Sequence, residues 1–318
     1  MPIILVGSLH AGEGRTTTAA GLGACLADEG RAVRLLRIRS AEGADPAAED
    51  DAQTLSLVPG CASPRSAVSE QEAQAQASEA GTTGGICIVE APSGAPTELA
   101  ARLAARVVLV GSQVDDLHMS DLVAAAEAVG DALLGVVVTR QPERRLAPVR
   151  HALQERGITC LAALPEDRML AGPTVREIAE ALHASPLVEN GKPDEGVEFV
   201  MLGPISADPG QPYFLQHGSK AVMNRFDKMD LHLAALATEP DCLILTGGQR
   251  PSPYLLDRVR GSDLEITVLL APDDTGRAME ALDELYTRTR FSGHRKHTRA
   301  VELVRQHLDI QQLAEALR

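Results

Sequence analysis

The chain has 318 residues, 44% of them hydrophobic but only 2% aromatic, with no tryptophan. That length exceeds one ordinary hydrophobic core and implies two domains filled mainly by Leu, Val, Ile and Ala. With 30 Lys and Arg against 44 Asp and Glu, the net charge of -14 repels a phosphodiester backbone, and the dearth of aromatics removes base-stacking platforms, so no nucleic-acid partner is expected.

The first element is an apolar strand, Ile3–Val6, which stops at a glycine-rich loop, GSLHAGEGRTTT, and feeds an Ala-rich helix expected over Thr17–Glu29. Backbone N–H groups and a helix dipole converge there, the arrangement that holds phosphate. Gly12, Glu13, Gly14, Arg15, Thr16 and Thr17 are the candidate phosphate-binding residues. Arg15 occupies the position of the usual lysine, and its planar fork does not reproduce a compact ammonium lying along the phosphates. Binding with weak or no hydrolysis is the expectation. His10 lies within the loop, open either to an anion or to solvent.

A second strand, Val33–Leu36, leads to Arg37, which joins the candidate cofactor-binding residues. Residues 39–85 show weak periodicity and are read as a helical insertion with a loop, with no structure assigned in detail. Within them one of Asp50 and Asp51 reaches the phosphate cleft, or the pair forms a solvated turn; Asp50 is taken into the metal set. The strand Ile86–Val89 ends in IVEAPSG, which puts Glu90 at the carboxyl edge of the sheet, where ligands of open α/β folds bind. Thr16, Glu90 and Asp50 are the candidate Mg2+ ligands.

Strands over Val107–Val110, Leu134–Val138 and Ile158–Leu161 alternate with helices over Thr97–Ala105, Met119–Val129 and Pro148–Arg156, the pattern of a parallel sheet covered on both faces. SPLVENGKPDE, starting at Ser185, gathers Pro, Gly, Asn and charge and reads as a linker, with domains at 1–190 and 191–318. Beyond it, strands at Phe199–Leu202, Ala221–Met223, Cys242–Leu245 and Ile266–Leu270 and a helix near Asp230–Ala237 describe a smaller α/β layer. His294, Arg295, Lys296, His297 and Arg299 form a basic run, read as a surface loop before the last helix, with an anion site or acidic partner as the alternative.

Cys25, Cys61, Cys87, Cys160 and Cys242 are odd in number and scattered, so they read as reduced core residues of a cytoplasmic protein. No signal segment and no apolar stretch of about 18 residues is present, and no membrane partner is expected.

Several passages together resemble one architecture. LVGSLHAGEGRTT, IVEAPSG, LLGVVVTR and GITCLAALPEDRMLAGPTVREIAEAL, followed by FDKMDLHLAAL, LILTGGQRPSP and LLAPDDT, are similar to the dethiobiotin-synthetase-like P-loop proteins that carry a C-terminal DRTGG domain, as in the N-terminal region of long bacterial phosphate acetyltransferases. The resemblance implies a P-loop-type, mostly parallel sheet with helices on both faces, followed by a smaller α/β DRTGG-like domain. It also implies ATP or ADP with Mg2+ as cofactors, a small-molecule effector at the second domain, and a homo-oligomer. It places Asp227, Lys228, Asp230, Thr246, Gly247, Gly248, Asp274 and Thr275 at an effector site or interface, although Asp227, Asp230 and the Asp273–Thr275 turn equally suit helix capping.

This chain departs from the pattern at Arg15, at Arg37 (usually the lysine of Lys-Pro), at Thr139 and Arg140 (where relatives place a base-contacting Asn) and at Lys228 (usually arginine). A nucleotide-binding regulatory or scaffold protein is therefore the favoured reading. An ATP-dependent ligase or carboxylase of dethiobiotin-synthetase type is the first alternative, and a subunit acting with a separate acetyltransferase domain is the second.

Overall fold

The computed structural model describes residues 3–40, 45–82, 84–112, 115–203, 213–286 and 288–317. The chain divides into two units, one running to Asp167 and including 297–318, the other Arg168–Lys296.

In the first unit, seven strands form one sheet: β1 (Ile3–Ser8), β2 (Val33–Arg37), β3 (Cys61–Ala62), β4 (Ile86–Glu90), β5 (Arg106–Ser112), β6 (Leu133–Gln141) and β7 (Cys160–Pro165). Their order is β3-β2-β4-β1-β5-β6-β7, and every pairing is parallel. β1 is therefore central and flanked by strands that follow it in the chain. The connections run to opposite sides of it, which opens a crevice at the carboxyl ends of the strands.

The helices are α1 (Arg15–Asp28), α2 (Pro46–Leu55), α3 (Glu70–Thr82), α4 (Thr97–Leu103), α5 (Asp116–Val129) and α6 (Leu146–Gln154). Small residues of α3 and α4, such as Ala73, Ala77 and Ala100, pack on Leu5, Leu36, Val89 and Val107. Met119, Leu122, Val149 and Leu153 cover Leu109, Val136 and Val138. The strands are apolar on both faces because both are covered.

The stretch 39–85 resolves into two helices and a short strand; 41–44 and 83 lie outside the described residues. α2 starts where Asp45 caps it, Oδ1 accepting from Ala48 N–H at 3.0 Å, with Pro46 at the first helical position.

The second unit holds a five-stranded sheet of β8 (Ser185–Glu189), β9 (Phe199–Leu202), β10 (Lys220–Arg225), β11 (Cys242–Thr246) and β12 (Thr267–Leu270), ordered β8-β12-β11-β10-β9. Here the expectation of a linker at 185–195 is corrected. Ser185–Glu189 pairs antiparallel with β12 as an edge strand, where Pro186 and Glu189 are tolerated because an edge leaves one side of the ladder free. The short α7 (Arg168–Ala171) precedes α8 (Val175–Ala181), and these are followed by α9 (Met229–Leu236), α10 (Pro253–Arg260) and α11 (Thr275–Leu285). α8 and α11 pack on one sheet face and α9 and α10 on the other.

The last helices, α12 (His294–His307) and α13 (Ile310–Ala316), correct the other end of the domain division, since 297–318 belongs to the first unit. The basic run also proves to be the first turns of α12 rather than a loop. Arg295 pairs with Asp241 at 2.8 Å, Arg299 with Asp167 at 2.7 Å, and Lys296 is fully buried, donating to Arg290 O at 2.7 Å. Burial pushes the Lys296 ammonium down to about 8.

Candidate phosphate-binding site

The loop after β1 is shaped by Gly12 and Gly14, whose φ values of 75° and 91° belong to the left-handed region. Gly14 ends the loop, and α1 begins at Arg15. The first amide drawn into the helical pattern is Thr18 N–H, bonded to Gly14 O at 2.9 Å. From Ala11 to Thr17 no backbone amide has a hydrogen-bond partner among the described residues, whereas His10 N–H donates to Glu13 Oε2 at 2.9 Å.

Several carbonyls of the loop are engaged. Ser8 Oγ donates to His10 O at 2.7 Å, and Arg15 Nη1 donates to Ser8 Oγ at 2.6 Å and to His10 O at 3.4 Å. From the end of β6, Thr139 Oγ1 donates to Glu13 O at 2.8 Å and Arg140 Nη2 to Gly12 O at 2.5 Å. Ser8 is a participant that sequence reasoning passed over; its signal was a hydroxyl as the last residue of an apolar strand.

Behind the loop lies a charged cluster. Thr16 Oγ1 is 2.9 Å from Glu90 Oε1 and 3.3 Å from Asp51 Oδ1. Arg37 Nε donates to Asp51 Oδ2 at 3.1 Å and stands 3.5 Å from Glu90 Oε1, while Arg15 Nε lies 3.8 Å from the same oxygen. That last contact is an ion pair without a hydrogen bond, and Arg15 Nε has no other partner.

Glu90 is 1% exposed. Burial, reinforced by Asp51, pushes its carboxyl up to about 7 against the opposing pull of Arg37, Arg15 and the Thr16 hydroxyl. Burial likewise loosens the proton on Arg15.

The structure thus brings together Gly12, Glu13, Gly14, Arg15, Thr16, Arg37 and Glu90. Thr17 stands in the first turn of α1, half-buried. Asp50 is a correction: it is exposed on α2, and the adjacent Asp51 faces Thr16 instead. Successive helical residues point about 100° apart, so only one of the two reaches the cleft.

Among the described residues no group of three His, Cys, Asp or Glu side chains is arranged to hold a metal. Two carboxylates and a hydroxyl, Asp51, Glu90 and Thr16, nonetheless form a hard-oxygen set on one spot. Glu90 Oε2 is buried without a partner. That set fits Mg2+, which takes few protein ligands and completes its shell with water and phosphate oxygens.

In the second unit the residues singled out fall into separate local roles. Asp227 pairs with Arg225, Nε to Oδ1 at 2.6 Å. Lys228 precedes α9, and Asp230 is exposed in its first turn. Asp274 caps α11, accepting from Arg277 N–H at 3.0 Å. Thr246 and Thr275 share a hydroxyl contact of 2.7 Å. Gly247 and Gly248 give their amides to Asp273 O at 2.7 Å and Ala271 O at 3.0 Å. They form a turn that joins β11 to the segment after β12, and their donors are used up within it.

Residues 177–285 match the DRTGG domain family. The second unit carries a DRTGG domain. The Thr246-Gly247-Gly248 turn and the Arg225–Asp227 pair lie within this DRTGG domain. The chain is also 28% identical over 164 residues to the phosphate acetyltransferase of Nitratidesulfovibrio vulgaris, a match covering 48% of this chain and 23% of that protein. The match thus spans under a quarter of the length of that curated relative.

Among solved structures, the CBS and DRTGG domains of the regulatory region of Clostridium perfringens pyrophosphatase, complexed with the activator diadenosine tetraphosphate, align at a TM-score of 0.32 and 13% identity. That alignment covers 47% of this chain and 74% of the other. The MinC:MinD cell division complex of Aquifex aeolicus aligns at 0.41 and 16% identity, covering 54% and 83%. The first unit itself is a P-loop-type α/β layer, a parallel sheet with a glycine loop between its central strand and α1.

Proposed function

We propose that the first unit binds the phosphates of ATP or ADP on the loop from Ala11 to Thr16, and that the chain is a nucleotide-dependent regulatory or scaffold protein of the cytoplasm rather than a fast hydrolase. The observation that carries this reading is the row of unpartnered amides from Ala11 to Thr17, set at a helix N-terminus. Thr16, Asp51 and Glu90 would hold Mg2+, which when bound neutralises phosphate charge.

Arg15 is the reason for expecting weak turnover. Its guanidinium is committed to Ser8, His10 O and Glu90, so it supports the loop from beneath and is not free to follow a moving phosphoryl group. The DRTGG domain is then the effector-binding or self-associating part, with a homo-oligomer as the expected assembly.

Titration calorimetry with ATP, ADP and AMP, each with and without Mg2+, tests the reading. Tight binding of ADP and ATP with weaker binding of AMP is expected; no heat with any of the three removes it. Diadenosine tetraphosphate belongs in the same screen for the second unit.

The Thr16, Asp51 and Glu90 triangle also favours a second reading, an ATP-dependent ligase or carboxylase of dethiobiotin-synthetase type. Phosphate release stimulated by an amine or carboxylate and lost in Glu90→Ala supports it. A chain that binds nucleotide yet releases no phosphate with any such substrate leaves the regulatory reading.

A further inference from the structure

Three loop carbonyls are anchored: His10 O by Ser8 and Arg15, Gly12 O by Arg140, and Glu13 O by Thr139. A trans peptide is planar, so the carbonyl of one residue and the N–H of the next point in opposite directions. Anchoring these three carbonyls fixes the amides of Ala11, Glu13 and Gly14 away from the anchors. Those amides are among the ones without a partner.

Arg140 reaches Gly12 from an unusual backbone. Its φ is 53°, left-handed in a residue that carries a Cβ, and the ladder between β6 and β7 is interrupted between Val138 and Gln141. Strain of this kind persists where the surroundings impose it and is concentrated at functional positions. The kink sets the guanidinium on the loop in place of a regular strand end.

We infer that Thr139 and Arg140 are positioning residues of the phosphate site. They act through the Gly12 and Glu13 carbonyls to aim the Glu13 and Gly14 amides at a bound anion, and do not touch the ligand. The inference rests on the phosphate reading for its ligand but not for its geometry. It gives the two residues a task other than base recognition and makes polyphosphate, more than the base, the recognised feature.

The test uses the full chain, with ADP and inorganic triphosphate as probes. Arg140→Ala and Thr139→Val each weaken both probes about tenfold, the effect of losing one orienting hydrogen bond, and Arg140→Lys recovers most of the loss. Thr139 carries no charge, so the Thr139→Val ratio to the native chain stays constant between about 50 and 300 mM salt. Affinities within about twofold of native for either variant overturn the inference.

If the native chain binds neither probe, the phosphate reading fails by itself. The Glu13 and Gly14 amide resonances of 15N-labelled protein then decide the geometry. Displacement of both in the two variants, with the remaining spectrum preserved, upholds the anchoring, and unmoved resonances overturn it.

Discussion

Glu90 sits at the focus of the first unit with two guanidinium groups and a hydroxyl around it, and still holds its proton up to about pH 7 because water is excluded. A folded-state value above the free-chain 4.5 means that the fold takes up a proton between those values. This group therefore favours folding fully below about pH 4.5, and its contribution declines as pH rises through 7. Glu90→Gln imitates the protonated acid. In thermal melts without ligand the variant should match the native chain near pH 5 and exceed its Tm by several degrees at pH 8. Adding Mg2+ at pH 8 should raise the Tm of the native chain and leave the variant unmoved. A variant that is less stable than native at pH 8 refutes this account of the carboxyl.

Arg15 makes a second prediction at the same scale. Its fork serves Ser8 Oγ and His10 O together, and an ammonium on a flexible stem does not replace that planar geometry. Arg15→Lys should lower the unfolding free energy by about 1–2 kcal/mol, read as a lower urea midpoint with an unchanged slope. Restoring the lysine usual in P-loop proteins thus destabilises the empty loop, whatever it does to nucleotide affinity.

Much of this site was legible from residue order. The strand-loop-helix passage and the IVEAPSG strand end name Arg15, Thr16 and Glu90, because each lies at a strand end or at the start of the helix that follows one. Asp51 was not separable from Asp50, since α2 has little apolar periodicity to set its phase. The use of Thr139 and Arg140 depends on a contact between residues about 127 positions apart, which no local pattern encodes.

Among the elements, α8 shows how local chemistry fixes a boundary. Thr174 Oγ1 accepts from Glu177 N–H at 3.1 Å, while Glu177 Oε2 accepts from Thr174 N–H at 2.9 Å, a reciprocal capping box that satisfies two donors. Glu177 Oε1 also accepts from Arg290 N–H at 2.7 Å, so one side chain ties the helix start to a distant segment. Thr174→Ala should cost about 1 kcal/mol, and Glu177→Ala more, because it also strands the Arg290 amide. Urea unfolding of the two variants ranks them, and equal costs would mean that the Arg290 contact contributes nothing. β8 next to it was not legible, because Ser-Pro-Leu-Val-Glu carries the composition of a linker and becomes a strand only by pairing with β12.

At the scale of the whole chain, the return of its C-terminal segment is a fact of packing that hydrophobic pattern alone does not reveal. α12 and α13 are recovered by the first unit through Ala300, Leu303, Val304 and Leu313, all buried, and through backbone anchors such as Asp309 N–H to Leu161 O at 3.1 Å and Arg150 Nη2 to His307 O at 2.8 Å. The approach of α12 to α1 depends on Gly21, where an added Cβ would clash with Val304 Cγ2.

Two effects oppose each other there. Alanine gains about 1 kcal/mol of helix propensity over glycine, but overpacking a filled core costs about 1–3 kcal/mol, and a contact this short between two helices lies at the upper end. The clash wins, so Gly21→Ala should be destabilising by about 1–2 kcal/mol despite the better helix former. Val304→Ala alone should cost a similar amount through the cavity it leaves. Combined, the two changes refill one another's space, and the double variant should be more stable than the sum of the singles by about 2 kcal/mol in a denaturation cycle. Strict additivity would show that α12 does not rest on α1 at Gly21.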